Sequence, residues 1–272
     1  VSPAGAEATR GRTSWTPLPL IRDYRLRWAL TLGALLYLVL ALNSVEVNWQ
    51  RVIDGADRGL RFISAFLQPN FTGRFDEIVE GVIESLTMTV TSTVIGVLLS
   101  IPVAVGAARN VAPLPVYLFC RGIISISRTF PEIIIAILFV KMFGFGTLAG
   151  MVTLIFATVG FMAKLLAEDI EDVDVAPVEA VRATGASWLQ MLNYAIQPQV
   201  MPRLVGLAVY RFDINFRESA IIGIVGAGGI GATLNTAFDR YEYDTAAAVL
   251  LIIIMIVMMA EYASGVIRRR LQ

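Results

Sequence analysis

Four stretches of this sequence are uncharged over lengths that suit a lipid core. Residues 28–45, 85–108, 142–163 and 246–260 contain no Asp, Glu, Lys or Arg. A hydrocarbon core of roughly 30 Å takes about 20 mostly apolar residues as a helix. Two further stretches are apolar with charges set into them. One, 122–140, carries Arg128 and Glu132; the other, 202–225, has Arg203 at its edge and carries Arg211, Asp213, Arg217 and Glu218 further in. The pattern predicts an all-α membrane protein of about six transmembrane helices. Residues 1–27 then form an N-terminal tail and 28–272 the transmembrane domain, with long loops over 48–80 and 168–203. The 48–80 loop has room for an amphipathic helix, since Val52, Leu60 and Ile63 are roughly helically spaced.

Basic residues set the orientation. With both termini on one side, twelve basic residues gather there against six opposite, and Arg268, Arg269 and Arg270 directly follow a span. Lys and Arg accumulate on cytoplasmic loops, so both termini and the 168–203 loop are predicted to be cytoplasmic. The 48–80 loop is then outside.

Composition removes most chemistry. There is no histidine, which excludes Ser-His-Asp and Cys-His nucleophile pairs and the HExxH metal motif. A lone cysteine, Cys120, excludes an internal disulfide and cysteine-rich metal sites. Neither lysine, Lys141 or Lys164, follows a glycine, so the chain has no GxxxxGK[ST] nucleotide loop. The formal net charge is zero, which leaves no electrostatic footprint for nucleic acid. No catalytic residue, metal or cofactor is expected.

The 168–203 loop is the most structured of the polar segments. Pro177 suits a first helical turn, Glu179 the positive helix end, and Gly185 a left-handed stop. Ser187 can then cap a second helix over 188–196, which Pro198 is expected to end. The order Glu179-Ala180-Val181, Gly185 and, thirteen residues on, Pro198 resembles the EAA loop of ABC importer permeases. Arg128-Thr129-Phe130-Pro131-Glu132, the run around Arg182 and Gly185, Gln199–Pro202, Tyr210-Arg211-Phe212 and the glycines from Gly226 to Gly231 are similar to the phosphonate-class (PhnE-type) permeases. The glycine run also occurs in methionine-type permeases.

The resemblance implies a type I importer permease fold in a bacterial plasma membrane. It also implies a homodimer served by two ATP-binding cassette ATPase copies and an extracytoplasmic substrate-binding protein. Glu179, Ala180, Arg182, Gly185 and Pro198 would couple the chain to the ATPase. The carried solute would be a phosphonate-, phosphite- or phosphate-type oxyanion. A methionine-type or other small-solute importer is the alternative, and a stand-alone secondary transporter or channel is the alternative of another class. The missing internal repeat speaks against the last.

Charges within a span face protein or water, because each costs at least about 2.5–3.5 kcal/mol at mid-bilayer. Helical spacing allows Arg128 with Glu132, Asp213 with Arg217, and Arg211 with Glu218 to share faces. These six either hold the bundle together in pairs or line a pathway that lends a guanidinium to an oxyanion. Gly226, Gly228 and Gly231, with Gly229 among them, formally fit the spacing of a dinucleotide fingerprint through the first three, but have no βαβ context. A helix break at an outer gate, or close helix packing, accounts for them instead. The hydroxyls of the second span, Ser85 to Thr93, are read as helix-packing residues.

Overall fold

The structure, a computed structural model, describes residues 23–44, 48–65 and 67–271. Residues 1–22 of the expected tail lie outside the described residues. No strand occurs among those described, and all regular structure is helical. Two compact units are present, one ending at Asp57 and the other beginning at Arg58. The first holds α1 (Tyr24–Ser44) and the start of α2 (Trp49–Ala65). No residue of α1 is buried, so its apolar surface is available to lipid or to another chain.

The second unit is organised on α3 (Phe75–Ala107), which starts ten residues before the uncharged run. Ser85, Thr89, Ser92, Gly96 and Ser100 of α3 are buried and recur every three or four residues, which makes one narrow stripe of small side chains. That stripe lets α6 (Thr147–Glu171) approach closely. A Cβ at Gly96 would lie 2.5 Å from the Thr158 methyl. Lipid tails are as apolar as leucine, so such contact, and not hydrophobic exclusion, drives helix association in a membrane.

The third predicted span is not one helix. α4 (Leu114–Thr129) and α5 (Glu132–Phe143) meet at 94°, with Phe130 extended at φ −94°, ψ 132°. Pro131 has no amide to donate, and its ring pushes the preceding residue out of the α region. The expected Arg128–Glu132 pairing through helical spacing therefore fails. No ion pair joins them among the described residues.

Gly144 and Gly146, at φ +88° and +132°, turn the chain into α6 close to where the sequence places the turn. After α6 come α7 (Val175–Ala183) and α8 (Trp188–Met191). Pro198 does not end the helix after Ser187. A π turn over Leu192–Ile196 leads straight into α9 (Gln197–Ile222), with Pro198 in its first turn. The wider turn leaves room for a ring that would otherwise clash with the carbonyl four residues back.

α9 breaks at a second π turn, Gly223–Ala227, and α10 (Ile230–Asp239) continues at an angle of 53°. α11 (Tyr243–Leu271) closes the unit. Among the described residues four helices are long and apolar enough to cross a membrane, and six spans result when each bent pair is one crossing. The chain is a multi-pass membrane protein.

Candidate functional site

Three sets of residues carry the candidate functions. The first is the α7–α8 hairpin. Asp174 caps α7, its carboxylate accepting from the Ala176 amide at 3.1 Å. Gly185 has φ +78°, and no atom lies within 4 Å of a Cβ built on it. The glycine is required there by backbone conformation, not by space. Ser187 starts α8 with Gln190 reaching back to its amide at 2.8 Å, half of a capping box. Glu179, Ala180, Arg182, Gly185 and Pro198 are all exposed. Ala180, Thr184, Gly185, Gln190 and Tyr194 border a groove of about 610 Å³. Arg182 is turned from that groove to the Met191 sulfur, at 3.7 Å.

This exposed hairpin is bolted to the bundle by bonds that sequence periodicity does not show. Glu171, at the end of α6, accepts from the Arg109 amide at 2.8 Å and from Arg121 at 2.9 Å. Asn110 donates to the Ile170 carbonyl at 2.8 Å, and the Trp188 indole to the Val111 carbonyl at 3.2 Å. Gln199 accepts from the Asp174 amide at 2.9 Å, and Arg203 pairs with the largely buried Asp169 at 2.9 Å. Asp174 and Trp188 thereby tie the hairpin to α9 and to the turn between α3 and α4, while the bonds of Glu171, Asn110 and Asp169 fasten that turn and α9 to the end of α6. Two carboxylates of the acidic stretch 168–174, Asp169 and Glu171, are clamps.

The second set lies inside the bundle. Arg211 is 2% exposed and donates from Nη2 to Glu218 at 3.0 Å and from Nε to Thr158 at 3.1 Å. Its guanidinium carbon sits 5.3 Å from the Phe161 ring centroid, a cation–π distance. Asn215 is fully buried and donates to Thr93 at 2.8 Å and to Thr158 at 3.0 Å. Thr158 thus joins α6 to α9, and Thr93 brings in α3. Arg217 pairs with buried Asp213, and its own side chain is half-exposed. Arg128 and Glu132 instead border a polar cavity of about 270 Å³ at the α4–α5 elbow, with Arg211 in its wall.

The third set is the glycine break. Gly226, Gly228 and Gly229 have φ of +97°, +78° and +73°. A Cβ on Gly231 would stand 2.0 Å from the Ala220 carbonyl oxygen, so glycine alone lets the chain recross itself there. The segment lies level with Ser85, ten residues or about 15 Å along α3. Glu84, unassigned by sequence, accepts from the Gly229 amide at 2.8 Å, and Ser85, read there as a packing residue, accepts from the Ile230 amide at 3.0 Å. These are the first amides of α10, where a carboxylate is favoured by the helix dipole. Glu84→Ala is expected to destabilise the protein by about 1.5–3 kcal/mol, the range for a bond to a charged group. Thermal unfolding in detergent and amide exchange at Gly229 check this; unaltered exchange at Gly229 would remove the bond's role.

Nearer the start of α3, Arg74 bridges to Glu242 at 2.7 Å and to Glu77 at 2.7 Å, and Asn70 donates to Asp244 at 3.2 Å. The Glu242 and Glu77 carboxylates hold the Arg74 guanidinium above its ordinary pKa. This clasp fixes the chain before α3 to the turn between α10 and α11.

A bundle with bent spans and one exposed, firmly anchored hairpin defines a membrane-embedded transport component. The profile of the family described as "Binding-protein-dependent transport system inner membrane component" matches residues 96–272. The chain belongs to this family, and within it is homologous to the phosphonate and phosphite permeases. It is 37% identical to the phosphite transport system permease protein PtxC of Stutzerimonas stutzeri, over 93% of this chain and 94% of that one. It is 37% identical to the phosphate-import permease protein PhnE of Mycolicibacterium smegmatis over 86% of this chain, but spans only 44% of that relative's length. Among solved structures, an inward-facing MetNI methionine ABC transporter chain superposes with a TM-score of 0.63 at 26% identity, covering 74% of this chain and 99% of that one. The family supplies the membrane-spanning part of such systems, not the ATPase.

Proposed function

We propose that this chain forms the translocation pathway of an ATP-driven importer for phosphonate-, phosphite- or phosphate-type oxyanions. An extracytoplasmic binding protein delivers the solute, and two ATPase copies grip the α7–α8 hairpins of a permease homodimer. The observation that carries this reading is the hairpin. It is exposed, yet held directly to the bundle by the Asp174–Gln199 bond to α9 and the Trp188–Val111 bond to the turn between α3 and α4. A load applied at Gly185 is passed to α9 and, through the turn between α3 and α4, to the end of α6 without being absorbed by a slack loop.

With one hairpin per chain and two ATPase grooves to fill, two copies of the chain are needed. The hairpin and both termini lie in the cytoplasm of a bacterial cell, as the twelve-to-six distribution of basic residues indicates. The glycine break, clasped by Glu84, acts as the gate toward the outer side. The relatives named for phosphite and phosphate favour an oxyanion over methionine as the solute, at 37% identity against 24–28%.

Purification from the membrane is expected to bring down an ATPase chain, and proteoliposomes holding permease, ATPase and binding protein are expected to take up phosphite only with ATP. Uptake driven by an ion gradient with no ATPase bound would instead establish a secondary transporter.

A further inference from the structure

We propose that the cavity at the α4–α5 elbow is an oxyanion station that selects anions still carrying an acidic proton. The inference rests on the reading of the chain as an oxyanion permease and names the chemistry at one point of its path. Of the six charges set into the third and fifth spans, four are neutralised in pairs: Arg211 by Glu218 and Arg217 by Asp213. Arg128 and Glu132 have no ion-pair partner among the described residues, yet both border the same cavity of about 270 Å³. Arg128 stands six residues, about 9 Å, along α4 from Gly122, where the apolar run of the third span begins. An unpaired guanidinium at that depth is disfavoured unless water or a ligand meets it.

The polar groups around the cavity are complementary to a tetrahedral oxyanion. The guanidinium of Arg128 presents a fork of N–H donors matched to two oxygens on one phosphorus. Arg211 adds a second cation, already held by Glu218 and Thr158, so its pull on a passing anion is moderated. Glu132 is the discriminating group. It borders the cavity together with Arg128 and Arg211.

An ionised carboxylate only accepts hydrogen bonds. A fully ionised dianion such as sulfate therefore meets repulsion at Glu132. A hydrogen phosphite or hydrogen phosphonate monoanion places its P–OH toward Glu132 as donor and its charged oxygens toward the arginines. The second ionisation of a phosphoryl group falls close to neutrality, at about 6 for a phosphate monoester. The protonated form is thus available in the cell, whereas sulfate has no comparable form.

The test uses the assembled importer in nanodiscs, with Cys120→Ala as background and Thr129→Cys as a reporter on the cavity edge. A charged methanethiosulfonate reagent is expected to label the reporter. Phosphite or methylphosphonate is expected to slow labelling at least fivefold, and sulfate at equal concentration to leave it unchanged. Adding Glu132→Gln lets sulfate protect as well. Adding Arg128→Gln abolishes protection by all three anions, while Arg128→Lys retains part of it; co-elution with the ATPase confirms that each variant is assembled.

Sulfate protecting the Glu132 parent as well as phosphite does, protection surviving Arg128→Gln, or a reporter that is never labelled would each overturn the station. ATP-driven phosphite uptake by the parent is measured alongside. Uptake without protection sinks the station alone, whereas protection without uptake sinks the proposed function and leaves the station standing.

Discussion

Gly185→Asp is expected to leave membrane insertion and dimer assembly at the wild-type level and to abolish ATP-driven uptake. Gly185 has φ +78°, a conformation that costs most L residues roughly 1–2 kcal/mol but that Asp and Asn visit more readily. No atom lies within 4 Å of the new Cβ, so nothing inside the chain is displaced. The hairpin therefore keeps its shape, and what changes is its outer surface. A carboxylate now stands beside the groove formed with Ala180, Thr184 and Gln190, on a hairpin that already carries exposed Glu179.

A partner that closes over this turn must bury that charge without a cation to meet it, a cost of several kcal/mol. Three kcal/mol of lost docking is about a hundredfold at 1.4 kcal/mol per decade, so uptake falls at least that far. Gly185→Asn, with the same backbone tolerance and no charge, separates bulk from charge and is expected to retain measurable transport. Wild-type uptake by Gly185→Asp, with the ATPase still bound, would take the hairpin out of the coupling role.

The sequence made legible what lipid enforces. An uncharged run of membrane length has little choice but to become a helix, which is why α1, α3, α6 and α11 fall where the runs lie. Helical periodicity likewise foresaw that Asp213 would meet Arg217 and Arg211 would meet Glu218, since residues four and seven apart share a face. Proline was harder. Pro131 breaks its span into two helices at 94°, while Pro198 sits inside continuous helical chain because a π turn precedes it. The local sequence does not say which outcome applies; packing of Met191, Ile196 and Val200 into the core at the α7–α8 end decides the second.

The contacts that assemble the sites are longer in range still. Thr158 meets Arg211 across 53 residues, and Glu84 meets Gly229 across 145. Neither pairing follows any period of the chain. The hydroxyl of Thr158 inside an uncharged run, and the acid directly before Ser85, were the signals present. Both become meaningful once the helices are placed side by side.

Arg211→Met is expected to be the most damaging single replacement within the bundle. It leaves Glu218, 18% exposed at its side chain, without its cation and takes from Thr158 one of its donors. Removing one member of a buried pair typically costs about 3–5 kcal/mol, because the charge left behind is uncompensated. That is a large part of the roughly 5–15 kcal/mol that holds a domain folded. The yield of folded protein in detergent and its melting temperature should both drop.

The double replacement Arg211→Met with Glu218→Leu removes both charges together. It should regain most of the lost stability, since an apolar substitute for a buried pair is often neutral. The mutant cycle then gives the coupling between the two directly. A double variant as unstable as the single one would show that Arg211 acts through Thr158 and Phe161, not through Glu218. Transport separates the remaining possibilities: a cavity that has lost a cation from its wall should carry oxyanions at least tenfold more slowly even in the stable double variant. Wild-type uptake there would make the pair a structural fastening and leave Arg128 as the one cation of the elbow that meets the solute.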